Sequence, residues 1–237
     1  MHKHIENELL KLKNPDKAKI LQWFFKTWKW EYGEWDKFLW IQVPKQREIA
    51  KKYFKDCSFN NIEKLLKSEF HEIRLTALLI LCYQYELAMK KNLKAEQKEI
   101  VRFYLEHLEF CNNWDLVDLV CYKILWNYLI NKDKKVLYKL ATDSNMRKQR
   151  VAIVSTMAFV KNGDFTDTLK IAKILMHHKH DLIHKAVWRL LREVWKKDKA
   201  ILLKFLEKNI SNMHRTTLRY SIEKFTNEER KYYLKLK

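Results

Sequence analysis

The stretch Asn112-Asn113-Trp114-Asp115-Leu116-Val117-Asp118 brings together residue types that can do chemistry. Trp114 and Asp118 are four residues apart, so on a helix they share nearly one face. Asp115 would lie in the first turn, where a carboxylate favours the helix N-terminus. An aromatic plane one turn from a carboxylate could hold a sugar and its base while the negative charge acts on the sugar carbon. The same residues also describe a capped helix with Trp114 in the core, and spacing alone leaves both readings open.

Other candidates carry less. His177, His178, His180 and His184 cluster in sequence, but only His180 and His184 have i, i+4 spacing. No Glu lies between them as a zinc protease motif requires, so no metal is expected. Lys185 and Arg192 could face a polyanion or simply be solvated. Arg215 and Arg219 could form one phosphate-binding face or pair with Glu223 and its neighbours. The four cysteines form no CxxC pair and fall mostly in apolar stretches, which suits free thiols in a reducing cytosol.

The elements that must position these residues are helical. Gly and Pro together number four, which argues against a turn-rich β fold. Asn14-Pro15-Asp16 reads as a cap and first-turn proline opening a helix to about Thr27, followed by an irregular aromatic-rich stretch over 28–41. Pro44 opens the next helix, through about Lys55. Further helices are expected over 59–67, 69–90, 94–110, 113–131, 133–142, 145–161, 165–178, 181–196, 198–208, 213–225 and 227–235. Leu75, Leu78, Leu79 and Cys82 show helical spacing, and Thr226 with Glu229 forms a capping box. Val151 to Thr156 has strand propensity, but its neighbours are helical and it has no hairpin partner. Short connections and a loose rhythm of roughly 35 to 45 residues predict an all-α, curved solenoid of antiparallel HEAT-like helix pairs, a single domain over 1–237.

The net charge is +19. Folding does not need such an excess, which self-repels; it points to a polyanion partner, or to a lysine-rich proteome. Met1 to Lys13 is polar and carries no signal-peptide core, and no apolar run approaches the roughly 20 residues that span a bilayer. The expected location is cytoplasmic.

Five segments, in order along nearly the whole chain, resemble the AlkD-like DNA alkylation repair family. They are Phe24-Phe25-Lys26-Thr27 through Phe38-Leu39-Trp40-Ile41-Gln42-Val43-Pro44 with Arg47; Asn113 to Asp118; Gln149 to Thr156; Leu182-Ile183-His184-Lys185-Ala186-Val187 with Leu191-Arg192-Glu193-Val194; and Met213 to Lys224. The resemblance implies a HEAT-like helical array cupping DNA and excision of N3- and N7-alkylated purines without a deep base-flipping pocket. It puts the catalytic aspartate on Asp118, the active-site tryptophan on Trp114 and the active-site arginine on Arg150. Lys26, Gln42, Arg47, Lys185 and Arg189 are expected to contact substrate DNA as well. The implied partner is double-stranded DNA containing alkylated purines, bound by a nucleoid-associated monomer with no cofactor, metal or membrane. The alternative is a non-catalytic HEAT-repeat protein that recognises damaged or branched DNA. A protein-interaction scaffold is opposed by the charge.

The chain departs from that family in two ways. Arg189 stands where a second active-site tryptophan is common; Arg147 replaces a usual aromatic, and His214 a usual proline. Glycine is also rare. Roughly 7% is ordinary, yet the chain has two glycines and nine tryptophans. Trp28, Trp30, Trp35, Trp40, Trp126, Trp188 and Trp195, and Trp23 as another case, fall where the family tends to have Gly. The expectation is a source organism that reads UGA as glycine, with tryptophan entered in translation. The alternative is a genuine aromatic binding loop.

Overall fold

A computed structural model describes residues 1–34 and 36–237; Trp35, and the glycine expectation attached to it, lie outside the described residues. The described residues form α-helices, two 3-10 turns and one isolated parallel bridge, Lys37 to Phe70. They divide into two compact units, Met1–Val120 and Cys121–Lys237.

The first unit holds α1 (His2–Lys11), α2 (Pro15–Phe24), α3 (Val43–Tyr53), α4 (Phe59–Leu66), α5 (His71–Lys90), α6 (Lys94–Glu106) and α7 (Trp114–Asp118). Its axis is α5, every residue of which from His71 to Cys82 is buried. Helices α1, α3, α4, α6 and α7 all pack on it. A helix apolar on all sides must be covered on all sides, and this sets the unit's layout. Asn14 caps α2 as expected, its side chain accepting from the Lys17 amide. Helix α1 was not foreseen: Ile5 and Leu9, one turn apart, are its only buried residues.

The second unit holds α8 (Cys121–Leu129), α9 (Lys135–Ala141), α10 (Met146–Ser155), α11 (Met157–Lys161), α12 (Thr166–Leu175), α13 (Asp181–Lys197), α14 (Lys199–Asn209), α15 (Arg215–Ser221) and α16 (Asn227–Lys235). Here α13 is central, packing against α10, α11, α12, α14 and α15. Val151 to Ser155 is helical despite its strand propensity, and the Thr226–Glu229 capping box is present.

Three expected helices are broken. The span 94–110 ends as α-helix at Glu106 and continues as the 3-10 turn Leu108–Phe110. The span 113–131 divides into α7 and α8, with no glycine or proline to mark the break. The span 145–161 divides at Thr156, whose hydroxyl donates to the Ile153 carbonyl at 2.7 Å and competes with the backbone ladder. No described helix is long and apolar enough to cross a membrane.

Candidate functional site

Helix α7 is short and is held at its start rather than along its length. Asn113, in extended conformation, caps it through a bond from the Trp114 amide at 2.8 Å. The rest of the Asn112–Asp115 stretch is gripped by three side chains from elsewhere in the unit. Arg74 donates to Asn112 Oδ1 at 3.1 Å, and Asn113 Nδ2 donates to Asp36 Oδ2 at 3.1 Å. His71 Nε2 donates to Asp115 Oδ2 at 2.8 Å, while its Nδ1 donates to Asp36 Oδ2 at 2.9 Å. The same Arg74 nitrogen, Nη2, also pairs with Asp36. All four ionisable groups of this network are buried.

The electrostatics of the network favour the charged forms of His71 and Asp36. Burial would lower the pKa of His71, but the carboxylates of Asp115 and Asp36 outweigh it and raise the imidazole to about 9. Burial likewise works to raise Asp36, yet His71, Arg74 and Asn113 together hold its carboxyl below the usual range. His71 is therefore an imidazolium at neutral pH, donating from both ring nitrogens.

Aromatic rings fix the network from the sides. Phe25 and Phe38 stack at 4.9 Å, and the His71 ring lies 4.7 Å from Phe38 and 5.2 Å from Phe25. Trp114 stacks on Phe25 at 5.7 Å and meets the edge of Phe24 at 6.3 Å. Trp114 is thus at the margin of a small core, half-buried, and Asp118 is half-buried one turn further on. Neither is swallowed by the interior, and both belong to the same short helix.

The loop before α3 is shaped around another carboxylate. Glu72 is buried and accepts from the amides of Leu39 at 2.9 Å, Trp40 at 2.8 Å and Ile41 at 3.3 Å. Successive N–H groups converging on one anion form a nest, which requires left-handed backbone at alternate positions; Trp40 has φ 62°. Gln46 donates to the Ile41 carbonyl at 2.7 Å and closes the loop onto α3. A cavity of about 320 Å³ opens here, lined by Phe24, Phe38, Trp40, Gln42, His71 and Asp115 among others. Exposed Gln42 therefore shares a cavity with Asp115, the anchor of α7. Lys26 is exposed, with φ 50°, and Arg47 is half-buried on α3.

In the second unit, Arg150 is 7% exposed, and its Nη1 donates to the Leu182 carbonyl at 2.6 Å. Arg150 thereby ties α10 to the first turn of α13, which carries Lys185 and Arg189. Lys185 pairs with Asp181 one turn back at 2.7 Å, and Arg192 with Glu223 at 3.1 Å; Arg189 is exposed. The histidines organise local structure. His178 accepts from the His180 amide, His180 caps α13 by accepting from the Leu182 amide, and His184 bonds the His178 carbonyl and stacks on His214 at 4.2 Å. Glu223 pairs with Arg192 and Lys224, while Arg215 and Arg219 are exposed.

Asp36, His71, Glu72 and Arg74 were not singled out by sequence. A signal existed: three ionisable residues in His71-Glu72-Ile73-Arg74 open a helix whose continuation, Leu75 to Cys82, is apolar but for Thr76. Charges that close to a fully buried segment must find partners.

The chain matches the family described as DNA alkylation repair enzyme over residues 5–225. A solved structure described as a predicted DNA alkylation repair enzyme from Enterococcus faecalis superposes with a TM-score of 0.63. The match covers 91% of this chain and 97% of that one at 13% identity, so it speaks to the fold. No curated protein matches. With a family match that takes in both units and the whole of the Asn112–Asp118 motif, the chain belongs to the DNA alkylation repair enzyme family.

Proposed function

We propose that the protein is a monofunctional DNA glycosylase that hydrolyses the N-glycosidic bond of N3- or N7-alkylated purines in duplex DNA. The observation that carries this reading is the division of labour in the Asn112–Asp118 motif. Asn112, Asn113 and Asp115 are tied to Arg74, Asp36 and His71. Trp114 packs at the margin of the aromatic cluster, and Asp118 stands half-buried one turn further along the same helix.

The chemistry suits so sparse a site. A purine alkylated at N3 or N7 already carries positive charge and leaves without a strong general acid. As the C1′–N bond breaks, its electron pair neutralises the departing base and the sugar becomes cationic at C1′. The Asp118 carboxylate stabilises that charge, orients a water toward C1′ and accepts the proton that water loses on forming the C1′–O bond. Trp114 packs on the deoxyribose and keeps bulk solvent off. Arg150 and the cations Lys26, Arg47, Lys185 and Arg189, with Gln42, position the duplex, chiefly through its phosphates. The +19 charge supports a polyanionic substrate.

Exposed Arg189, in place of a second tryptophan, favours a second reading: a relative that binds damaged DNA without cutting it. Incubation with methylated duplex DNA and quantification of released 7-methylguanine and 3-methyladenine separates the two. A glycosylase releases free base and leaves an abasic site. Steeply salt-dependent binding with no base released supports the second reading.

A further inference from the structure

We propose that His71 is a positioning residue for the Asp118 chemistry: by bridging Asp36 and Asp115, it sets where α7 holds Trp114 and Asp118. This rests on the glycosylase reading above.

Three observations carry it. The His71 ring is held at its edges by Asp36 (2.9 Å) and Asp115 (2.8 Å), and the stacked pair Phe25 and Phe38 packs against it from one side. Its two contacts toward the motif both lead to the start of α7. One runs through Asp115 to the first turn of α7, and the other runs through Phe25, on which Trp114 stacks. A shift of the imidazole therefore displaces the helix and the floor under its tryptophan together. Finally, a buried cluster of two carboxylates and two cations is a poor device for stability alone, since apolar residues of similar volume often do as well. Its distinctive product is fixed geometry. It also holds the charge of Asp115 in a buried ion pair.

The charged and titratable groups around the ring are Asp36, Asp115, Arg74 and Glu72. Loss of the His71 proton leaves two carboxylates facing a neutral ring that can donate to only one of them.

The test is His71→Gln, assayed for single-turnover release of 3-methyladenine and, separately, for affinity toward undamaged duplex. The release rate is expected to fall about 100-fold, as for reacting groups misplaced by about 1 Å, with DNA affinity unchanged. In the wild type the rate falls through one ionisation near pH 9 while the helical circular dichroism holds, and the variant lacks that limb. A variant with reduced melting temperature but wild-type release would overturn the positioning role. If His71→Gln does not fold, the wild-type profile decides: a rate flat through pH 10 is the contrary result. A wild type that releases no base at any pH overturns the glycosylase reading itself, and the positioning role with it.

A different observation carries a second inference. Trp30 and Trp40 sit at φ 73° and 62°, where side chains larger than glycine's are strained. Position 40 is held there by the nest around Glu72, and Trp30 is 86% exposed. The indole nitrogens of Trp126, Trp188 and Trp195 are buried without an acceptor among the described residues. We infer that positions 30 and 40 are glycines in the protein its source cell makes, encoded by UGA. UGA codons at both positions, and a rise in Tm of about 2–4 °C for Trp30→Gly, are the expected results. UGG codons, or a Tm that falls, would overturn it.

Discussion

His71 Nε2 lies 2.8 Å from Asp115 Oδ2, while the opposite edge of the same ring holds Asp36. One buried imidazolium thus joins the irregular segment before α3 to the start of α7. Because its pKa is raised from the unperturbed 6.5 to about 9, its contribution to stability is complete below about pH 6.5. That contribution is lost as pH rises through about 9. A shift of this size corresponds to about 3 kcal/mol. Urea denaturation between pH 6 and pH 10 should show the loss, and His71→Gln should flatten it.

Asp36 adds the opposite limb. Its pKa is lowered, so its contribution is present above the ordinary carboxylate range and disappears as the carboxyl is protonated in acid. Denaturation midpoints below pH 4 should drop less in Asp36→Asn than in the wild type, from a lower starting value.

Glu72→Gln should open the nest at Leu39–Ile41. The amide keeps one acceptor oxygen but loses the charge that draws three N–H groups together, a cost of about 2–4 kcal/mol. The midpoint of unfolding reads the loss. Hydrogen exchange at Leu39, Trp40 and Ile41 should rise locally, and unchanged exchange there would show that the carboxylate does not organise the loop.

Trp114 should tolerate Phe better than Ala. A phenyl ring keeps the stack on Phe25 and part of the cover over the sugar, whereas Ala removes both. Release of alkylated base is expected to fall modestly in Trp114→Phe and by about 10–100-fold in Trp114→Ala, comparable to a loss of 1–3 kcal/mol. Equal rates for the two variants would remove the aromatic plane from the mechanism.

Lys26 and Arg47 should act on affinity and not on chemistry. Replacing either by Ala is expected to reduce the slope of log K against log salt for duplex DNA by about 1. The maximal release rate should remain as it was. Lys185, already paired with Asp181, should change the slope less.

Much of this site was legible in the sequence where the signal is local. Asn14 and Thr226 cap helices where the sequence pattern places caps, and Trp114 and Asp118 share a helix because four residues make about one turn. What was not legible is non-local. Asp36 and Asp115 meet His71 across 35 and 44 residues, and nothing in the spacing of a lone aspartate in an aromatic loop reveals a partner so distant. Arg150 shows the same limit: its type suggested a phosphate, while its position adds a bond to the Leu182 carbonyl. The breaks after Asp118 and at Thr156 lack glycine or proline, and tertiary packing overrides the continuous apolar pattern. Trp40 stands at a usual glycine position in the sequence, but the reason for its left-handed backbone, the nest around Glu72, is non-local.

The most direct measurement is the single-turnover rate of 7-methylguanine release from a duplex, compared between the wild type and Asp118→Asn at saturating protein. Asn keeps the shape and removes the charge. A glycosylase that works through this carboxylate predicts a fall of about 10²–10³-fold, in line with the loss of one preorganised electrostatic group, with duplex affinity retained. Equal rates for the two proteins, or no release from either, would contradict it.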